Sequence, residues 1–267
     1  MRDWDDAYAN GAHIPGAEGF VPRWQAEAAA FRAAAGGRLD IAYGAGARER
    51  LDLFLPGAAP RGLCVFVHGG YWKAFDKSLW SHLAAGAQAR GWAVALPSYP
   101  LAPEVLISEI TLAVARAITV AAELVPGPLR LAGHSAGGHL VARMVCADTP
   151  LPGAVAARVA HVLSISGVHD LRPLLATQMN AVLGLTLAEA RAESPALAEP
   201  RPGARLTAWV GAEERPEFVR QSALIANAWA GFDTDTRLVE VPRRHHFDVI
   251  ADLALPESAL TRAFAGG

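Results

Sequence analysis

Gly133-His134-Ser135-Ala136-Gly137-Gly138 is rich in glycine and lies near the middle of the chain. A short apolar run at 128–132 precedes it, and 139–146 follows with helical apolar spacing. This context predicts a sharp turn between a buried strand and a helix, with Ser135 in a strained backbone conformation. The glycines two residues either side remove side chains that would collide with that strand and helix. The stretch is therefore typical of a nucleophile elbow, in which the Ala136 amide at the helix start faces a developing oxyanion.

Length and composition favour one globular domain that acts on a small molecule. The 267 residues suit a single α/β domain over 1–267, and the hydrophobic content of 52% supplies a large core. A net charge of −2 without runs of like charge gives no expectation of nucleic-acid or membrane binding. The acidic N-terminus lacks the pattern of a secretion signal, and no apolar stretch is long enough to span a membrane. We therefore expect a cytoplasmic protein, in which Cys64 and Cys146 are small buried residues.

Strand and helix patterns alternate along most of the chain. Strands are predicted over 38–43, 49–55, 62–67, 92–96, 128–132, 159–165, 206–210 and 236–241, and the main helices over 21–35, 78–90, 104–124 and 139–146. The first two strands read as an antiparallel hairpin at one edge. The pattern predicts the α/β class, with a mostly parallel central sheet of about eight strands and helices on both faces. Residues 1–37 are expected to form an arm or cap, and the Pro-interrupted segment 171–202 a lid or insertion.

In an open parallel sheet, ligands bind at the carboxyl ends of the strands, so the residues that follow each strand are the candidates. His68, Gly69 and Gly70 follow the strand 62–67 directly. Consecutive glycines let backbone amides approach a substrate oxygen unhindered, and together with the Ala136 amide they would form an oxyanion hole. We expect His68 to brace this loop rather than to transfer protons.

Two further strand ends supply acids and histidines after Ser135 in the chain. A serine hydroxyl becomes a good nucleophile when an imidazole takes its proton, and that imidazole needs a carboxylate to fix its tautomer. The adjacent His245 and His246 cannot both point into one site, so either is a candidate base. The candidate acids are Glu213, Glu214 and Asp170. As metal ligands the histidines lack a partner cluster, so neither a metal nor an organic cofactor is expected.

Several strings together carry a resemblance to known proteins. They are 68–72 (HGGYW), 98–104 (SYPLAPE), 133–140 (GHSAGGHL) and 166–171 (SGVHDL), with 7–15 and 216–222 beside them. Over nearly its whole length the chain resembles α/β-hydrolases of the hormone-sensitive-lipase-like branch, and more narrowly the kynurenine formamidases, or arylformamidases. The strings are specific for the fold and the catalytic triad. They are less specific for the substrate, because related bacterial esterases share them.

The resemblance implies roles for individual positions of this chain. It implies a triad of Ser135, Glu214 and His246, although the family more commonly has aspartate as the acid. It also implies an oxyanion hole of Gly69, Gly70 and Ala136, and an aromatic pair beside the substrate, Tyr71 and Trp72.

The activity implied by this resemblance is that of a serine hydrolase in tryptophan catabolism. Such an enzyme would cleave N-formylkynurenine to kynurenine and formate through a formyl-serine intermediate, without a cofactor. A carboxylesterase for small aryl or short-chain acyl esters is the alternative, and a non-catalytic binding protein with the same fold is a more distant one. The sequence leaves a homodimer open.

Overall fold

The computed structural model describes residues 3–232 and 234–266, built around one eight-stranded sheet. The strands are β1 (Arg38–Ala42), β2 (Arg50–Phe54), β3 (Leu63–Val67), β4 (Ala93–Pro97), β5 (Leu129–His134), β6 (Val159–Ile165), β7 (Arg205–Gly211) and β8 (Asp235–Val241). Their order is β1-β2-β4-β3-β5-β6-β7-β8. The pairs β1–β2 and β2–β4 are antiparallel and all others are parallel. The predicted fold class is confirmed, including the antiparallel hairpin at one edge.

Helices fill the connections between these strands. The α-helices are α1 (Trp4–Tyr8), α2 (Phe20–Ala35), α3 (Ala85–Ala89), α4 (Ile107–Leu124), α5 (Ala136–Arg143), α6 (Gly153–Ala156), α7 (Asn180–Leu183), α8 (Leu187–Ala192), α9 (Pro216–Trp229) and α10 (Ala259–Ala265). Short 3₁₀ segments cover Asn10–His13, Ala17–Gly19, Lys77–Leu79, Ser81–Ala84, Arg172–Ala176, Pro195–Leu197 and Ala251–Ala254.

The sheet separates two hydrophobic cores, as expected of strands buried on both faces. Along β3, Leu63 and Val65 belong to the core shared with α4, α5 and α9. The alternate residues Cys64 and Phe66 belong to the other core, which contains residues of α2, α3 and α10. Cys64 is a buried free thiol, and burial raises its pKa above the ordinary range. Burial likewise raises the pKa of the buried free thiol of Cys146, to about 12.

The helix predicted over 78–90 is broken into two 3₁₀ turns and the short α3. The guanidinium of Arg32, on α2, donates to the carbonyl oxygen of Ser78 and to Oγ of Ser81. A continuous α-helix would use that Ser78 carbonyl for its own ladder. The prediction was wrong here because a residue distant in sequence captures the backbone group.

Segment 171–202 packs onto the α4 and α5 side of the sheet. Its residues Leu174, Leu183 and Ala190 are buried in the core on that side. Glu193 accepts a hydrogen bond from Thr111 of α4 at 2.6 Å. The segment is therefore docked on the body of the domain.

Candidate active site

The turn between β5 and α5 has the geometry of a nucleophile elbow. Ser135 lies between them with φ 56° and ψ −118°, a conformation that L-residues rarely adopt. A Cβ on Gly133 would lie 2.1 Å from the carbonyl oxygen of Gly137, and a Cβ on Gly137 would lie 2.0 Å from that of Val67. Glycine is required at both positions because the strand, the turn and the neighbouring strand approach one another so closely.

His246 and Glu214 form a buried hydrogen-bonded pair at the ends of β8 and β7. Nδ1 of His246 lies 2.6 Å from Oε2 of Glu214, and the two side chains are 4% and 0% exposed. The other oxygen, Oε1, accepts from the amide of Gly211 at 2.8 Å and from the hydroxyl of Ser166. With both oxygens occupied, the carboxylate is fixed in orientation, and the pair leaves Nε2 of His246 for chemistry.

The other candidate acids and the second histidine are directed elsewhere. Glu213 is exposed. Asp170 is bound by the guanidinium of Arg172, through contacts of 2.9 and 2.8 Å. His245 is a quarter exposed, with its Nδ1 3.4 Å from Asp248. The geometry therefore pairs Glu214 with His246, where the sequence alone left three acids and two histidines.

Ser135 and His246 line the same cavity. Within the described residues, the Ser135 hydroxyl makes no hydrogen bond to a protein group, and nucleophile–base contacts commonly tighten when substrate binds. His134 lies beside the pair, with Nε2 2.9 Å from the carbonyl oxygen of His246 and the two rings 4.6 Å apart. Burial, and then the neighbouring His246, hold the pKa of His134 well below its ordinary value. A neutral His134 does not repel an imidazolium that forms on His246.

Gly69 and Gly70 line the same cavity as Ser135, and Ala136 follows Ser135 in the chain. In the described part of the chain, no acceptor is bound to the amides of Gly69, Gly70 or Ala136. Gly70 has φ +117°, and a Cβ there would lie 2.3 Å from the carbonyl oxygen of Ala74, so glycine is required. These amides can act together as an oxyanion hole.

His68 holds the glycine loop in place. Its Nδ1 lies 2.6 Å from the carbonyl oxygen of Gly69, and its ring stacks on Tyr99 at 4.3 Å. Burial lowers the pKa of His68 from 6.5 to about 4, so the ring is neutral near pH 7. This arrangement matches the bracing role expected from the sequence.

A cavity of about 260 Å³ opens at Ser135, and aromatic rings dominate its walls. Its lining residues are Tyr8, Ala9, Asn10, Gly11, Ala12, Val21, Trp24, Gly69, Gly70, Tyr71, Phe75, Trp80, His134, Ser135, His246 and Phe247. None of these is Lys, Arg, Asp or Glu. Walls of this composition favour an aromatic group in the cavity.

Tyr71 and Trp72, both expected to contact substrate, lie in different places in the structure. Tyr71 lines the cavity, whereas Trp72 does not. Trp72 is fully buried, and its Nε1 donates to Nδ1 of His139 at 3.3 Å. The expectation of a substrate contact for Trp72 needs correction, because its ring fills the core beneath the site.

The N-terminal arm, expected as an arm or cap over 1–37, builds much of the cavity wall, although none of its residues was a site candidate. Five consecutive residues, 8–12, line the cavity, as does Trp24 of α2. Tyr8 anchors the arm to α9 by donating to Glu217 at 3.0 Å and accepting from Gln221 at 3.1 Å. In contrast, no described residue of 171–202, the segment expected to be a lid or insertion, lines this cavity. The arm covers the cavity instead.

Ser166 was also missed as a partner of Glu214. It directly follows β6, with φ 51°. The strand-end argument applied to the other candidates points to this position as well.

Metal-ligand clusters and membrane-spanning helices are both absent from residues 3–232 and 234–266. No three His, Cys, Asp or Glu side chains there are grouped to hold a metal ion. None of the described helices has the length and apolar character needed to cross a bilayer.

Comparison with known proteins shows the family of the chain. The alpha/beta hydrolase family profile matches residues 64–264. The chain belongs to this family. Curated kynurenine formamidases from Danio rerio and Drosophila melanogaster are each 28% identical to this chain. The alignments cover 84% and 83% of this chain, and 79% and 78% of the two relatives. The predicted similarity to kynurenine formamidases is confirmed.

Solved structures extend the comparison. A protein from a Silicibacter species, described as a candidate thioesterase, is 51% identical, with a TM-score of 0.95 and complete coverage of both chains. An esterase from the archaeon Pyrobaculum calidifontis is 18% identical, with a TM-score of 0.71 and coverage of 93% and 92%, and shares the fold. Together these comparisons support a hydrolase.

Proposed function

We propose that this hydrolase cleaves N-aryl formamides, N-formylkynurenine among them, through a formyl-serine intermediate. The observation that carries the proposal is the aromatic, charge-free cavity of about 260 Å³ that opens at Ser135. A formyl group needs almost no space at the nucleophile, and the cavity has room for an aryl ring with its substituents. The similarity to kynurenine formamidases over most of the chain supports the same substrate class.

The proposed reaction begins with attack of the Ser135 hydroxyl on the formyl carbon, while Nε2 of His246 takes the proton. Glu214, 2.6 Å from Nδ1, keeps the imidazole in the required tautomer and stabilises its cationic form. The oxyanion accepts hydrogen bonds from the amides of Gly69, Gly70 and Ala136. Each such donor typically contributes about 3 kcal/mol to transition-state stabilisation.

Collapse of this intermediate breaks the C–N bond and leaves Ser135 formylated. His246 returns its proton to the departing nitrogen, so the first product leaves as a neutral arylamine. Delocalisation of the nitrogen lone pair into the ring makes it a better leaving group than an alkylamine. Water, deprotonated by His246, then attacks the formyl ester and releases formate.

Ester or thioester hydrolysis is the second candidate. The 51% identical Silicibacter protein, described as a candidate thioesterase, favours it, since the same triad would serve. A small cavity would then restrict the acyl or the leaving group. A non-catalytic binding protein is the third alternative, and a fluorophosphonate probe tests it, since the probe should label wild type and fail on Ser135→Ala.

The deciding experiment compares N-formylkynurenine, p-nitrophenyl acetate and S-phenyl thioacetate under one set of conditions, with Ser135→Ala as the blank. A kcat/KM at least a hundredfold higher for the formamide, about 2.7 kcal/mol of differential transition-state binding, supports the proposal. Preference for either ester with negligible formamide turnover refutes it and leaves the second candidate.

A further inference from the structure

A second cavity, of about 440 Å³, lies at the opposite end of the sheet from the candidate active site. Arg205 and Asp235 in its wall are the first residues of β7 and β8, whereas the catalytic candidates follow the ends of strands. Four arginines line this cavity, Arg130, Arg205, Arg237 and Arg262, and Asp235 is its one carboxylate among the described residues. Since the whole chain carries a net charge of −2, this basic concavity is a local feature.

The strand register places these side chains next to one another. Arg130 of β5 is paired with His161 of β6, and Arg205 of β7 with Asp235 of β8. The residues that follow His161 and Arg205 are paired with each other, so the four side chains form one row on one face of the sheet. Arg237 lies two residues beyond Asp235 on β8 and therefore faces the same way.

His161 lies inside this row and responds to its charges. Burial, and then the charges of Arg130 and Arg205, lower the pKa of His161 from 6.5 to about 4. Asp235 acts in the opposite direction and has a smaller effect. The ring is therefore neutral near pH 7, and the arginines outweigh the carboxylate at this point of the cavity.

Asp235 uses only part of the hydrogen-bonding capacity of the two exposed arginines. It accepts from Nε and Nη2 of Arg205 at 3.2 and 3.1 Å, and from Nε of Arg237 at 3.2 Å. Nη1 of Arg205 and both terminal nitrogens of Arg237 donate to no group in the described part of the chain. The two side chains are 57% and 70% exposed, so these donors are open to a bound molecule.

The other two arginines are held by α10 and the turn before it. Nε and Nη2 of Arg130 donate to carbonyl oxygens of α10, and no carboxylate of the described residues pairs with this guanidinium. Arg262 donates to the carbonyl oxygen of Glu257, and its Nη1 lies 3.7 Å from the carboxylate of that residue. The positive charge that remains uncompensated therefore comes mainly from Arg130, Arg205 and Arg237, which face Asp235 alone.

The chemistry of the lining limits which ligand fits. Guanidinium groups bind phosphate through parallel N–H···O bonds, because their planar donors match its oxygens. The cavity has room for more than a phosphate group. Further along the strands it is lined by the paired residues Trp209 and Val239, which are uncharged. An organic group attached to the phosphate can pack there.

We propose that this cavity binds a small phosphate monoester, with its phosphate on the arginines and its organic group against Trp209 and Val239. The site is independent of the proposed reaction, since the two cavities share no described lining residue. Asp235 orients two guanidiniums and also repels the anion, so it limits the affinity of the site.

Calorimetric titration of the full chain with phenyl phosphate tests this at low ionic strength and pH 8, where the ester is a dianion. Wild type should bind with a Kd below about 1 mM. Arg205→Gln combined with Arg237→Gln should weaken binding at least tenfold. The matched control is Arg38→Gln, because Arg38 is the exposed first residue of β1 at the other edge of the sheet; its Kd should stay within twofold of wild type.

Removing the carboxylate should have the opposite effect. Asp235→Asn should tighten binding at least threefold, because repulsion of the dianion is lost while the amide oxygen still accepts from the arginines. Inorganic phosphate, titrated in the same way, should bind at least fivefold more weakly than phenyl phosphate. Equal affinities would refute the contact with Trp209 and Val239, and with it the assignment to a monoester.

No saturable binding of phenyl phosphate by wild type up to about 10 mM overturns the proposal. Binding that persists in the double variant also overturns it, since the ligand would then lie elsewhere, for example in the aromatic cavity at Ser135. Should the double variant not fold, Arg237→Gln alone removes the most exposed of these arginines and should weaken binding at least threefold. An unchanged Kd in that variant counts against the proposal in the same way.

Discussion

Replacing Glu214 by glutamine tests the proposed triad, because the structure dictates how the new side chain must sit. Oε1 of Glu214 accepts from the amide of Gly211 at 2.8 Å and from the hydroxyl of Ser166. A backbone amide can only donate, so the glutamine oxygen is held at this position. Its NH₂ group then replaces Oε2 and faces Nδ1 of His246, which is 2.6 Å from Oε2 in the native protein.

The misplaced donor changes the protonation of the imidazole. Nδ1 of His246 must then accept a hydrogen bond, so the neutral ring carries its proton on Nε2. That nitrogen is the one required to take the proton of Ser135. The same acid-to-amide change in a serine-protease triad lowers kcat about 10⁴-fold. We expect Glu214→Gln to lose on the order of 10³- to 10⁴-fold in kcat/KM, which is about 4–5.5 kcal/mol.

The assay is kcat/KM for the best of the three substrates compared above, measured from pH 6 to 10. Glu213→Gln is the matched control. Because Glu213 is exposed, the kcat/KM of this variant should stay within twofold of wild type. A loss smaller than tenfold in Glu214→Gln, or a comparable loss in Glu213→Gln, refutes the assignment of the acid.

Three further changes probe stability and the walls of the site. Lowering the pH from 7 to 5 should reduce Tm by roughly 10 °C in calorimetry, because burial lowers the pKa of His68 to about 4 and of His139 and His169 to about 3. Below about pH 6.5 these three histidines take up protons in the unfolded chain but not in the folded chain. The free energy of unfolding therefore falls by about 2 kcal/mol per histidine at pH 5; an unchanged Tm contradicts this. Trp72→Phe should lower the free energy of unfolding by about 2 kcal/mol in urea, through loss of its hydrogen bond and packing, and leave kcat/KM within threefold; a tenfold rise in KM would mean that the ring contacts substrate. Gly70→Ala should reduce kcat at least 100-fold, about 3 kcal/mol, because its Cβ would displace the loop that carries the oxyanion amides; steady-state kinetics showing less than a threefold loss would contradict that.

The parts of the molecule that follow from local sequence could be predicted. The elbow needs glycines at fixed offsets from Ser135, and its strand and helix are adjacent in the chain. Parallel strands present all their carboxyl ends at one edge, so residues that follow separate strands must meet. This rule, applied to the strand pattern of the sequence, is enough to bring the ends of β3, β5, β7 and β8 together.

The choice between neighbouring residues could not be predicted from the residues alone. Tyr71 and Trp72 are adjacent, with φ 50° and 57°, yet one lines the cavity and the other fills the core. His245 and His246 pose the same problem, and the order of residues within a turn does not say which one faces inward. That choice depends on partners distant in the chain, such as His139 for Trp72 and Glu214 for His246.

The residues that could be predicted are those of the proposed catalysis, whereas the residues that were missed line the cavity that would select the substrate. The candidate catalytic groups lie on strand ends, where the sheet fixes them in any protein of this fold. The wall opposite them comes from the arm, which is tied to the domain by Tyr8 on α9 and by the chain of hydrogen bonds from Asn10 through Tyr71. Substitutions in that arm can change which leaving group fits without disturbing the elbow or the Glu214–His246 pair. We therefore expect residues 8–12 to be where substrate classes diverge among relatives.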